Sequence, residues 1–347
     1  MSDLTPRTVL DSLNLGLRQA LRDDPGVILL GEDLLDPYGG AFKVSRGLST
    51  AFPDQVLTTP ISEAGITGMA GGMALRGMRP VVEIMFGDFT TLITDQVINH
   101  IAKFNGMYDG AVSAPVVIRT PMGGRRGYGP THSQTLEKFF LGVPGLTVLA
   151  PFNLLGDHLL GAPGELLYAA ILKLDSPVLF VENKLQYLFR LHPWEDLAEY
   201  ALTVEGSPGG VPVPFYTFKL KSAPAGQITL AAYGYMAQIA LEAVHALAYH
   251  HEIFCELMVP TQLAPFELGP LYESVGRTGR LLTIEEGTFS LGWGAEVLAR
   301  TAEALGPGLK AAGRLAASEG VIPVAPNLEA ACLPDVDDVV ARVREMV

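Results

Sequence analysis

Along the chain, short apolar runs of strand length alternate with stretches in which apolar residues recur every three or four positions. The runs are Val27–Leu30, Pro80–Ile84, Pro115–Ile118, Leu146–Leu149 and Pro177–Val181. Between them the spacing predicts helices over about 8–20, 63–76, 90–105 and 153–172, each bounded by polar or glycine-rich residues. Strands that alternate with helices in this way predict a parallel sheet with crossover helices, so residues 1–190 read as one α/β domain. Residues 191–224 break the pattern: Gly206-Ser207-Pro208-Gly209-Gly210, Pro212, Pro214 and Pro224 read as a linker with little periodicity. A second α/β pattern occupies 225–347, with strands at Ile228–Ala231, Ile253–Met258 and Arg280–Ile284 and helices over about 236–250 and 294–305.

Composition narrows the function. At 347 residues the chain exceeds one ordinary core, which agrees with two domains. Its 24 Lys plus Arg against 37 Asp plus Glu disfavour a nucleic-acid binder. The negative charge is uneven, because residues 225–347 hold 7 basic and 15 acidic side chains. The most apolar stretch, Val148–Leu174, is interrupted by Asp157, His158 and Glu165, so no membrane span is expected. Met1–Thr5 lacks the basic and apolar regions of a signal peptide, and a cytoplasmic location is expected. Cys255 and Cys332 are far apart and read as buried free thiols.

Two segments carry candidate chemistry. In Thr59-Pro60-Ile61-Ser62-Glu63-Ala64-Gly65-Ile66 a carboxylate opens a helix. Either Thr59 or Ser62 caps that helix with Glu63 in its first turn, or Glu63, with Ala64, Ile66, Met69 and Ala70 around it, is a desolvated proton-transfer carboxyl. The second is the glycine-rich stretch Pro121–Gln134, which follows a strand and carries Arg125, Arg126 and His132. Loops at the carboxyl ends of parallel strands bind ligands in α/β proteins, and His132 among hydroxyls and amides has the surroundings of a proton donor. The arginine pair is either an anion site or a solvated turn.

These segments, together with Gly31-Glu32-Asp33, Tyr38-Gly39-Gly40-Ala41-Phe42, Arg79–Glu83, Phe89, Asp95-Gln96-Val97, Thr278-Gly279-Arg280, Glu285-Glu286, Gly294-Ala295-Glu296 and Pro326–Glu329, are in the order found in a known family. The chain resembles the beta subunit of the thiamine-diphosphate-dependent first component of 2-oxo acid dehydrogenase complexes. The resemblance implies a pyrimidine-binding domain followed by a transketolase C-terminal-like domain. It implies that Glu63 hydrogen-bonds the pyrimidine N1′, that Phe89 stacks on the ring, that Glu32 and Ile61 line the same pocket, and that His132 faces the substrate.

The chain has no Gly-Asp-Gly with a downstream asparagine, so no metal site is expected in it. An alpha subunit would hold Mg²⁺ and the diphosphate in an α₂β₂ heterotetramer. The acidic C-terminal domain, with Glu285, Glu286, Glu296, Glu303, Asp335, Asp337 and Asp338, is expected to dock a lipoyl acyltransferase. Pro260-Thr261-Gln262-Leu263-Ala264-Pro265 lacks the arginine that family members usually carry there, and Asp175 is displaced by one position from the family's monovalent-cation loop. Two further readings are a split transketolase-like ketol-transferring subunit and a non-catalytic, partner-binding paralogue.

Overall fold

The computed structural model describes residues 6–156, 159–206 and 213–347. Its strands are β1 (Val27–Gly31), β2 (Val56–Thr58), β3 (Arg79–Glu83), β4 (Val117–Met122), β5 (Thr147–Leu149), β6 (Val178–Asn183), β7 (Tyr200–Glu205), β8 (Phe215–Leu220), β9 (Ile228–Ala232), β10 (Cys255–Pro260), β11 (Gln262–Ala264), β12 (Arg280–Thr288) and β13 (Ala311–Ala317). They form two sheets in the orders β11-β5-β6-β4-β3-β1-β2 and β13-β12-β9-β10-β8-β7. Six strands of the first sheet run parallel. β11 arrives from the C-terminal half and pairs antiparallel with β5, so the sheet edge itself ties the two domains together. The fold is α/β with two mostly parallel sheets.

Strands buried on both faces are continuous apolar runs because helices cover both sides. Helix Val9–Asp23 packs across helix Gly161–Leu172 at a glycine contact: a Cβ on Gly16 would lie 2.5 Å from the Gly164 carbonyl oxygen. One apolar core joins Leu30, Val82 and Ile118 of the first sheet to Tyr233, Met258 and Trp293 of the second half. A second core lies around Phe218, Leu230, Ala240 and Leu257.

Three sequence expectations change. The segment 191–224 is more than a linker, since β7 and β8 pair antiparallel and extend the second sheet. β7 escaped notice because it is an edge strand with one buried residue, Tyr200. Residues 207–212, the glycine- and proline-rich centre of that segment, lie outside the described residues. The helix expected over 153–172 begins only at Gly161, after buried extended chain at Phe152–Leu154; Asp157 and His158 lie outside the described residues. The helix expected over 90–105 is a series of short turns, 3₁₀ at Gly87–Ile93, π at Gln96–His100 and 3₁₀ at Ile101–Lys103. The hydroxyls of Thr90, Thr91 and Thr94 bond to carbonyls three or four residues back, which competes with regular helix geometry. Among the described residues no helix is long and apolar enough to cross a membrane. Cys255 is buried and Cys332 half-buried, and both are free.

Candidate active site

The carboxyl ends of β2, β1, β3, β4 and β6 lie side by side, and the candidate residues follow β1, β2, β3 and β4. Glu32 follows β1 directly, and β1 approaches β3 so closely that a Cβ on Gly31 would lie 2.8 Å from the Glu83 carbonyl oxygen. Glu63 is the first residue of helix Glu63–Leu75. Ser62 occupies the cap position with Glu63 in the first turn, as one of the two readings has it, but the Ser62 side chain makes no capping hydrogen bond. Glu63 and Glu32 are both buried, and Glu32 Oε1 has no hydrogen-bond partner. Burial raises the Glu32 carboxyl above its ordinary range, and the negative charges of Glu63 and Asp33 raise it further against a Ser62 backbone bond that lowers it. The polar company of Glu63 is therefore a second carboxyl, which its apolar sequence neighbours gave no sign of.

Ile61, just ahead of Glu63, is 83% exposed. Met69, Leu75, Met78 and Leu92 are exposed as well.

Phe89 and His132 come together from separate segments around a third ring, Phe86. Phe86 lies edge-on to His132 at 4.6 Å between centroids and to Phe89 at 5.7 Å, and Phe89 and His132 are 5.2 Å apart. Thr131 Oγ1 lies 2.9 Å from His132 Nδ1. The Phe89 segment, Gly87–Ile93, packs on the Glu63 helix, which brings both pairs of candidates to one region. Gly87 permits this, because a Cβ there would strike the Met122 side chain.

The glycine-rich loop is held by carboxylates from outside it. Glu286 accepts from Gly124 N at 2.8 Å and from Asn183 Nδ2 at 2.8 Å. Glu329 accepts from Arg125 N at 2.7 Å and Gly127 N at 3.1 Å. Asp88 accepts from Gln134 Nε2 at 2.8 Å. Gly123 has φ +92°, a conformation that a side chain resists. Glu285 and Glu286, expected on a docking surface, are both buried, as is Glu329. Of the arginine pair, Arg125 donates to the Pro334 carbonyl and lies 5.5 Å from the Tyr235 ring centroid, whereas Arg126 is exposed. Runs of acidic residues normally mark solvated surface, so sequence reasoning placed the acids of the C-terminal half outside.

Beneath the site, Arg119 on β4 is fully buried and donates to Glu83 at 2.5 Å and to Glu182 at 2.8 and 2.5 Å. Ser45 and Tyr187 hydroxyls donate to the same two carboxylates at 2.5 Å. This cluster ties β3, β4 and β6 together at their carboxyl ends.

A second buried group sits where the domains meet. Glu137, just past the loop, accepts from Tyr233 Oη at 2.6 Å, and Glu285 accepts from Gly294 N at 2.9 Å. One oxygen of each carboxyl is buried without a partner. Burial first, then the Glu137 charge, pushes the Glu285 carboxyl up to about 8.

Comparison with known proteins agrees with this layout. Residues 6–188 match the transketolase pyrimidine-binding domain and residues 219–339 the transketolase C-terminal domain. The chain is 36% identical to pyruvate dehydrogenase E1 component subunit beta-2, mitochondrial, of Oryza sativa subsp. japonica, over 96% of this chain and 84% of that one. It is 32% identical to pyruvate dehydrogenase E1 component subunit beta of Rickettsia bellii, over 98% of both. Among solved structures, a split-gene transketolase described as an inactive beta4 tetramer superposes with TM-score 0.74 at 19% identity, over 98% of both chains. A Campylobacter jejuni transketolase gives TM-score 0.65 at 16% identity, over 98% of this chain and 46% of that one. Similar in sequence over nearly its whole length and built from the same two domains, the chain belongs to the family of pyruvate dehydrogenase E1 component beta subunits.

Proposed function

We propose that the chain is the beta subunit of a thiamine-diphosphate-dependent enzyme that decarboxylates a 2-oxo acid and passes the acyl group to a lipoyl domain. The observation that carries this reading is the pair of buried carboxyls, Glu32 after β1 with a free oxygen and Glu63 at the N-terminus of the helix that packs against the Gly87–Ile93 segment carrying Phe89.

Thiamine diphosphate, the cofactor of this family, supplies a ring system that stabilises the carbanion left by decarboxylation. The residues present fit its aminopyrimidine. Glu63 would hold a proton at the ring nitrogen N1′, and the unpartnered Glu32 Oε1 is an acceptor still available to a donor in the same pocket. Phe89 would flank the ring face and Ile61 would close its edge. His132, half-buried against Phe86 and Phe89, would exchange a proton on the substrate side.

The chain works with an alpha subunit in an α₂β₂ assembly, which would hold Mg²⁺ and the diphosphate. Exposed Ile61 and Met69, at the start and middle of the stretch that carries Glu63, support a covered surface next to the site. A lipoyl acyltransferase would dock on the C-terminal domain, where the acids still available on the surface include Glu296 and Asp337. Use of Arg125 inside the fold weakens the ketol-transferring alternative, because a basic cluster free to bind sugar phosphates would favour that reading.

The test is Glu63→Gln, which removes a proton and keeps the volume. Turnover by the assembled enzyme should fall at least ~10²-fold while the assembly sediments unchanged. Near-normal turnover would overturn the reading.

A further inference from the structure

Lys184 follows β6 directly and its side chain is 0% exposed. Among the described residues its Nζ has no acceptor within hydrogen-bond reach. A buried ammonium with unspent donors is costly unless its charge is used by its surroundings. The groups that act on it are Glu286 from β12, Asp88 from the Gly87–Ile93 segment, Glu329 from the short helix Pro326–Ala330, and the opposing Arg126 from the loop. Those three carboxylates are the ones that clamp the glycine-rich loop through Gly124, Arg125, Gly127 and Gln134. Nζ also lies 5.5 Å from the centroid of Phe86, the ring packed edge-on against His132.

We propose that Lys184 is a positioning residue whose buried charge balances the three carboxylates of the clamp and thereby keeps the glycine-rich loop, with His132 on it, in place. Each carboxylate already accepts from the loop and none reaches Nζ, so the lysine acts across space rather than through a bond. Without it, the three carboxylates keep their negative charges in a low dielectric with less positive charge to offset them, and the arrangement that relieves them is an open loop. Burial, its largest cause, pulls the amine down to about 8 against the raising effect of the carboxylates. The same opening therefore follows when pH rises through that value. The catalytic consequence rests on the role proposed for His132; the order of the loop does not.

Hydrogen–deuterium exchange on the intact protein in its native assembly tests this. In Lys184→Met the amides of residues 123–134 should exchange about tenfold faster or more, while β1, β3 and β4 keep their protection. Adding Glu286→Gln should return part of that protection, since one carboxylate charge is removed while an acceptor for Gly124 N is kept. In the unmodified protein, passing from pH 7 to pH 9 should open the same amides beyond the intrinsic rate change, and Lys184→Met should show no such step. The pH arm needs no variant and decides the matter if Lys184→Met does not fold. Unchanged loop exchange at both pH values, or a uniform rise across the whole chain, overturns the proposal. Faster loop exchange with unaltered turnover counts against His132 as a proton-transfer group and leaves the clamp standing.

Discussion

Glu285→Gln should flatten the dependence of stability on pH and stabilise the protein in alkali. The carboxyl is fully buried, and burial with the neighbouring Glu137 charge raises it from 4.5 to about 8. A group raised on folding contributes its stability in full below the unfolded value and loses it as pH climbs through the folded one. The window is therefore pH 4.5 to 8. Each pH unit inside it costs ~1.4 kcal/mol, so between pH 6 and pH 9 the unmodified protein should lose about 2–3 kcal/mol through this group. Glutamine keeps the shape and the acceptor for Gly294 N but has no proton to lose. Urea unfolding of both proteins at pH 6, 7, 8 and 9 measures the difference, in which all other titrations cancel. The variant should be ahead by about 2 kcal/mol at pH 6 and by about 2–3 kcal/mol more at pH 9. Glu137→Gln should reduce the slope only in part, because burial, the larger cause of the shift, remains. Parallel curves for the unmodified protein and Glu285→Gln would refute the argument.

Arg119→Met should destabilise the protein by about 3–5 kcal/mol in the same unfolding assay, because Glu83 and Glu182 would stay buried without their cation. Gly124→Ala places a Cβ 2.7 Å from Leu333 Cδ1 and 3.2 Å from Glu329 Oε1, so it should loosen the clamp and cut turnover about tenfold with little change in stability, measured by steady-state kinetics beside thermal melting. His132→Ala should reduce lipoyl-dependent turnover more than decarboxylation with an artificial electron acceptor; equal losses in paired assays would remove His132 from the acyl-transfer step.

What could be read in one dimension follows from local physics. Apolar runs such as Val27–Leu30 and Pro177–Val181 became central parallel strands because each is buried on both faces, and their composition alone reports that. Glu63 could be singled out because a carboxylate at a helix start is visible as spacing. The edge strand β7 and the turns from Gly87 to Lys103 could not be foreseen, since one is mostly exposed and the others depend on hydroxyl bonds that break helix geometry locally.

The chain by itself determined two α/β domains, their order and the residue types at the site. Which carboxylates meet was decided only in three dimensions. Glu32 and Glu63 are 31 positions apart, Gly124 and Glu286 are 162, and Arg125 and Glu329 are 204. No local pattern tells a buried acid from a solvated one, because its burial depends on which distant donors the folded chain brings to it. The acids of the C-terminal half thus read as surface charge, and the fold turned three of them inward onto the glycine-rich loop and the domain junction. A buried charge persists only where donors or counter-charges converge on it, and here that convergence is supplied by the two halves of the chain, joined where β11 enters the first sheet, not by any segment of sequence.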